Sequence, residues 1–157
     1  MERFQITKEG YQKLRSEIDH LRNVERPKII SQIATARELG DLRENAEYHS
    51  AKDRQGFIEA QIGDLEEKMN RAEVIDVTKL SGEKVKFAST VTLENLDNST
   101  KVKYKIVSDF EANIDEGLIS SVSPVARALI DKEVGDEVEI HAPVGIINYE
   151  ILKIEFI

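Results

Sequence analysis

Between residues 51 and 72 the positions Ala51, Gln55, Ile58, Ile62, Leu65, Met69 and Ala72 follow one another at alternating steps of four and three. That spacing is a heptad seam of about three repeats, the signature of a long helix packed against another. A partner seam lies upstream. Residues 8–75 contain a single proline, and Tyr11, Leu14, Ile18 and Leu21 make one apolar stripe with steps of three, four and three. Thr7 suits the N-cap of that helix, with Glu9 in its first turn. The stripe breaks at Glu25 and Lys28 and resumes one position out of register at Ile29, Ile33 and Ala36. Leu21, Glu25, Ile29 is two successive fours, a stutter that locally unwinds a coiled coil. Pro27 lies inside it and lacks a backbone donor, so a kink rather than a stop is expected there. The two seams, joined by Glu38-Leu39-Gly40-Asp41-Leu42-Arg43-Glu44, make an antiparallel hairpin. A helix of about 30 residues is roughly 45 Å long, more than a compact domain of this size needs.

After Ile75 the period changes to two. Lys84–Phe87, Thr90–Leu93 and Lys101–Val107 alternate polar and apolar residues as half-buried strands do, with Asp97-Asn98-Ser99-Thr100 as a turn. Pro124–Leu129 reads as a short helix with Ser123 as its cap. Two further strands, Glu137–His141 and Ile146–Phe156, flank Pro143-Val144-Gly145. The expected class is α+β. An antiparallel coiled-coil hairpin occupies residues 1–75, a linker residues 76–81, and a small, mostly antiparallel sheet with one helix residues 82–157.

Several chemistries are excluded by what the chain lacks. Cysteine is absent, which removes disulfides, thiolate catalysis and the common zinc frameworks. The N-terminus has no apolar core of signal-peptide length, and no run of about 18 apolar residues occurs, so the expected address is the cytoplasm with no membrane contact. The net charge of −8 divides as −2 over residues 1–75 and −6 over residues 76–157. A chain this acidic is a poor free-standing binder of duplex DNA. Any nucleic-acid contact belongs to the first half, and a protein partner suits the second.

At the hairpin turn Asp41 and Glu44 stand three apart, and in a helix starting at Leu42 they would project to one side. Two uses are open. Asp at an N-cap with Glu three residues later is a capping arrangement. Alternatively the pair can serve a metal, but magnesium asks for six oxygens in an octahedron, so a partner must supply the rest of the shell.

Arg26-Pro27, followed by Ala36-Arg37-Glu38-Leu39-Gly40-Asp41-Leu42-Arg43-Glu44-Asn45-Ala46-Glu47-Tyr48-His49, closely resembles the stalk and tip of the Gre transcript-cleavage factors, GreA type. The likeness continues through Leu118-Ile119-Ser120, Ser123-Pro124-Val125-Ala126-Arg127-Ala128-Leu129-Ile130 and Gly135-Asp136-Glu137-Val138. It implies a transcription elongation factor whose coiled coil enters the secondary channel of bacterial RNA polymerase and stimulates the polymerase's own cleavage of the nascent RNA 3′ end in backtracked complexes. It also implies that the chain is not an enzyme by itself. Asp41 and Glu44 fall on the family's acidic tip positions, which complete the shell of the polymerase's second Mg²⁺ and orient a water, as in two-metal phosphodiester hydrolysis. No cofactor of its own and no small-molecule substrate are implied. Arg37, Arg43 and Lys52 match basic positions near the RNA 3′ end. The second half resembles the family's FKBP-like domain, which docks on the channel rim around Ser123 and Pro124. Asp131 departs from the family pattern, which has Gly before this Lys.

Three other readings compete: a purely structural coiled coil, a Gre-like inhibitor of transcription, and a prolyl isomerase suggested only by the FKBP-like fold, which does not carry activity. The tip sequence Asp-x-x-Glu-Asn is that of the cleavage type. His20, His49 and His141 form no ligand pattern, and Gly82 and Gly145 read as turn residues.

Overall fold

A computed structural model describes residues 2–40 and 44–157 of the chain. The order of elements is β1 (Phe4–Thr7), α1 (Lys8–His20), a π-helical turn (Leu21–Glu25), α2 (Arg26–Arg37), α3 (Ala46–Arg71), β2 (Ala72–Ile75), β3 (Thr90–Asn95), β4 (Lys101–Val107), β5 (Leu118–Ser120), α4 (Pro124–Leu129), β6 (Glu137–Ala142) and β7 (Gly145–Glu155). The chain divides into two compact units. One holds Tyr11–Ala72, and the other holds Glu2–Gly10 together with Glu73–Ile157.

In the first unit the heptad positions face inward. Leu14, Ile18, Leu21, Ile29, Ile33 and Ala36 are buried on one side of the hairpin, and Ala51, Ile58, Ile62 and Leu65 on the other. The stutter is resolved by the π-turn, in which the Arg26 amide donates to the Leu21 carbonyl. Eight residues of α-helix rotate about 80° beyond two full turns, and the one extra residue of a π-turn takes up about 100°. Leu21 and Ile29 therefore share a face. The discontinuity sits just before Pro27, which lies in the first turn of α2, and the backbone stays helical through the junction at Glu25 and Arg26. Ion pairs link this side to α3. Arg26 grips Glu59 with two bonds, Nε to Oε1 at 2.6 Å and Nη2 to Oε2 at 2.8 Å. Arg22 pairs with Glu66, and Arg54 reaches Glu25 at 3.5 Å.

The second unit is built on a five-stranded sheet in the order β5-β4-β3-β7-β6. All neighbours are antiparallel except β4 and β5, which pair in parallel. Val91, Leu93, Ile106, Ile119, Ala126, Leu129, Val138, Ile140 and Ile151 form its core. Helix α4 starts as expected, with Ser123 Oγ accepting from the Ala126 amide at 3.2 Å.

Three expectations need correction. Lys84–Phe87 is not a strand. The Val85 amide and carbonyl are engaged by Lys132 and Asp131, and the backbone then turns at once, with the Ser89 amide on the Lys86 carbonyl and Ala88 at φ +71°. Its alternation is real, since Val85 and Phe87 are buried, but it arises from one bridge and a tight turn. Strands β1, β2 and β5 were not anticipated, and each is only three or four residues long. Residues 2–10 also pack with the sheet unit, although a stalk of residues 1–75 would include them. The reason is local. Strand β1 pairs with β2, and the buried Glu111 carboxylate accepts from the Thr7 amide at 3.2 Å, from the Thr7 hydroxyl, and from the Ser108 amide and hydroxyl at 3.1 and 2.8 Å.

Candidate functional site

The turn end of the hairpin is set by how α2 stops and α3 starts. Helix α2 runs out at Arg37, and its last carbonyls are met by tight turns: Glu38 N–H to Thr35 at 3.2 Å and Leu39 N–H to Ala36 at 3.1 Å. Gly40 follows at φ +122°, a backbone region that side-chain-bearing residues rarely enter. Helix α3 starts at Ala46, not at Leu42. Its cap is Asn45, whose Oδ1 accepts from the Tyr48 amide at 3.1 Å.

This start bears on the capping use left open for Glu44. Glu44 lies ahead of the cap, in an exposed turn, so it cannot be the third residue of the helix that a capping box requires. Asp41 and Arg43 lie outside the described residues. Arg37 is exposed at the end of α2, with its guanidinium carbon 5.8 Å from the centre of the Tyr48 ring, a cation–π distance. Lys52 is exposed on α3 and donates to Gln55 Oε1 at 3.3 Å. Among the described residues no group of three or more His, Cys, Asp or Glu could hold a metal ion.

Below the tip, the seam positions Ala36 and Ala51 are small. An open groove of about 550 Å³ runs between α2 and α3 there, lined by Ser31, Gln32, Thr35, Glu47, Ser50 and Arg54 among others. On the sheet unit, Ser123 spends its side-chain oxygen on the α4 cap, and Pro124 beside it is exposed. Asn45 and Tyr48 did not stand out in sequence. The available signal was an Asn directly ahead of the helix-forming Ala46, in competition with the equally good cap Asp41.

Electrostatics across the hairpin are modest but directional. Hydrogen bonding to Arg26 holds the Glu59 carboxyl below the usual carboxylate range, against a smaller opposing effect of desolvation.

Both halves of the chain match sequence families of one functional class. Residues 4–74 match the family described as "Transcription elongation factor, N-terminal", and residues 80–156 match "Transcription elongation factor, GreA/GreB, C-term". A helical hairpin with an exposed acid at its turn, in one chain with a curled sheet unit, is here a transcription elongation factor. Transcription elongation factor GreA of Phenylobacterium zucineum (strain HLK1) is 53% identical over 157 residues, covering 100% of both chains. That of Caulobacter vibrioides is 53% identical over the same length, and that of Francisella tularensis subsp. novicida 51% identical over 156 residues, 99% of this chain and 98% of its own. The chain belongs to the GreA/GreB family of transcription elongation factors. The crystal structure of GreA factor homolog 1 (Gfh1) of Thermus thermophilus aligns over 98% of this chain and 99% of its own, at 28% identity and a TM-score of 0.44. Membership rests on the sequence matches. No helix among the described residues is long and apolar enough to cross a membrane.

Proposed function

We propose that this factor binds bacterial RNA polymerase in the cytoplasm, inserts its helical hairpin into the secondary channel, and stimulates the polymerase to cleave the RNA 3′ end of backtracked complexes. The observation that carries the reading is Glu44: an exposed carboxylate at the turn of a long hairpin, placed ahead of a helix whose capping is done by Asn45. An acid freed from capping is available to a partner. Two tip carboxylates are too few to hold Mg²⁺ alone, which fits a site completed by the polymerase. Asp41 and Glu44 would contribute oxygens to that ion, and Mg²⁺ bound there supplies charge stabilisation and water activation for phosphodiester hydrolysis. The chain's own residues bring negative charge to the reacting region and orient a water by accepting its hydrogens. Arg37, Arg43 and Lys52 offset phosphate charge near the RNA end. The sheet unit docks through the segment at Ser123 and Pro124. The Ser123 hydroxyl accepts from the Ala126 amide and keeps its own hydrogen to donate, and Pro124 beside it is exposed.

The test uses a stalled, backtracked bacterial polymerase complex with 3′-labelled RNA and Mg²⁺. Adding the purified factor should release short labelled fragments, whereas Asp41→Asn and Glu44→Gln should bind equally well and release few. Cleavage at the wild-type rate by either variant removes that residue from the mechanism.

A further inference from the structure

Capping alone does not explain the choice of residue at position 45. Asn, Asp and Ser are about equally good N-caps, since each offers an oxygen to the first free amides of the helix. Asn45 does more. While Oδ1 accepts from the Tyr48 amide at 3.1 Å, Nδ2 donates to the Ala36 carbonyl at 2.6 Å. Ala36 lies in the last turn of α2, so one planar amide joins the end of one helix to the start of the next. Among short side chains only Asn accepts at one end and donates at the other. Satisfying both ends at once fixes its side-chain torsions and, through them, the backbone of residue 45. Glu44 is the residue before it. A second crossing lies alongside, where Arg37 at the end of α2 stacks over Tyr48 in the first turn of α3.

We infer that Asn45 is a positioning residue for Glu44: its bridge to Ala36 holds the carboxylate-bearing turn in one orientation relative to α2. The inference rests on the reading of Glu44 as a tip acid and adds the device that aims it. A carboxylate that completes another protein's metal site must be held to within about 0.5 Å of its working geometry. Misplacement by about 1 Å can cost about 100-fold in rate. An exposed turn needs an anchor to meet that tolerance, and the Ala36 carbonyl, which accepts from the Leu39 amide in the turn that ends α2 and has a second lone pair for Asn45, provides one.

Two variants of the full chain separate the bridge from the cap. Asn45→Asp keeps the cap oxygen and loses the donor to Ala36. Asn45→Ser keeps a cap oxygen, adds no charge, and is too short to reach Ala36. Both should retain their melting temperature within a few degrees, and the factor concentration giving half-maximal cleavage should stay within about twofold. The cleavage rate at saturating factor should fall about tenfold or more. In a Glu44→Gln background, Asn45→Ser should cost almost nothing further, because a side chain that no longer acts needs no aiming. A proportional loss in both backgrounds, or an unchanged saturating rate, overturns the inference. The absence of cysteine allows a second measurement independent of cleavage. Spin labels at Thr35→Cys and Glu44→Cys should give a narrow distance distribution that broadens with Asn45→Ser. An unchanged distribution refutes positioning even if cleavage falls. If the wild-type factor releases no RNA fragments, the functional reading fails, and the label distances alone decide whether Asn45 holds residue 44.

Discussion

The Thr7 hydroxyl accepts from the Gly10 amide at 3.1 Å and donates to the carboxylate of Glu111, 104 residues away in sequence. One oxygen thus caps the first turn of α1 and fastens it to the Ser108–Glu111 turn of the sheet unit. Glu111 collects two backbone and two hydroxyl donors while almost fully buried.

Glu111→Ala is therefore expected to cost about 3 kcal/mol, because bonds to a charged acceptor contribute about 1.5–3 kcal/mol each and the abandoned donors stay buried. Urea denaturation followed by circular dichroism measures this. A cost below about 1 kcal/mol would mean that water replaces the carboxylate without penalty.

Replacing glycine by alanine should have opposite signs in two helices. In α3, Gly56 and Gly63 are exposed with nothing near the position of an added methyl, so Gly56→Ala and Gly63→Ala should each stabilise by about 1 kcal/mol. In α1, a methyl on Gly10 would overlap the Glu111 carboxyl, which is held in its network and cannot swing aside freely. Gly10→Ala should destabilise by about 1–3 kcal/mol despite the better helix propensity. Melting curves of the three variants, compared with wild type, check the sign reversal.

Asp131 occupies φ +69°, a left-handed conformation that non-glycine residues adopt at a cost. Its amide also donates to the Val85 carbonyl at 2.9 Å, so the turn is pinned and cannot relax. Asp131→Gly should raise stability by about 0.5 kcal/mol and Asp131→Ala should lower it by about 1 kcal/mol. The departure of this residue from the family's glycine thus leaves the turn intact, at a small energetic cost. Equal stability of the Gly and Ala variants would contradict that account.

The Arg26–Glu59 pair sets a pH dependence. The folded carboxyl titrates below its unfolded value, so its contribution is present at neutral pH and fades as pH falls through the folded pKa, beneath the ordinary carboxylate range near about 4. Both groups lie at the surface, so the effect is small and salt-sensitive. The melting-temperature gap between wild type and Glu59→Gln should be slightly positive at pH 7 and close as pH drops below about 4. A gap that widens toward acid would reverse the assignment.

Much of the chain was legible because the relevant forces act over short stretches. The seam from Ala51 to Leu65 is a matter of helical pitch, so periodicity alone located α3 and its buried face. The Thr7 and Ser123 caps lie three residues from the amides they serve, and both were found. The stutter at Leu21–Ile29 was also visible. Its resolution as a π-turn was not, since sequence spacing shows a surplus residue without showing which hydrogen bonds absorb it. At the tip, Asp41 and Asn45 were equivalent caps by chemistry.

Only the folded hairpin shows Asn45 as the cap of α3, where the end of α2 also offers it a carbonyl to bridge. Strand β5 shows the same limit: three residues carry no period of their own, and their pairing beside β4 depends on an edge formed elsewhere. By itself the sequence determined the helical period, the caps at Thr7 and Ser123, the change to alternating strands, and the family to which the chain belongs. Tertiary structure alone decided that residues 2–10 join the sheet unit, that Glu111 closes on Thr7, and that Asn45 begins α3. The physical reason is shared: a hydrogen bond between distant elements is set by which partner the fold delivers, and nothing in either residue's neighbourhood encodes a partner that arrives from another element.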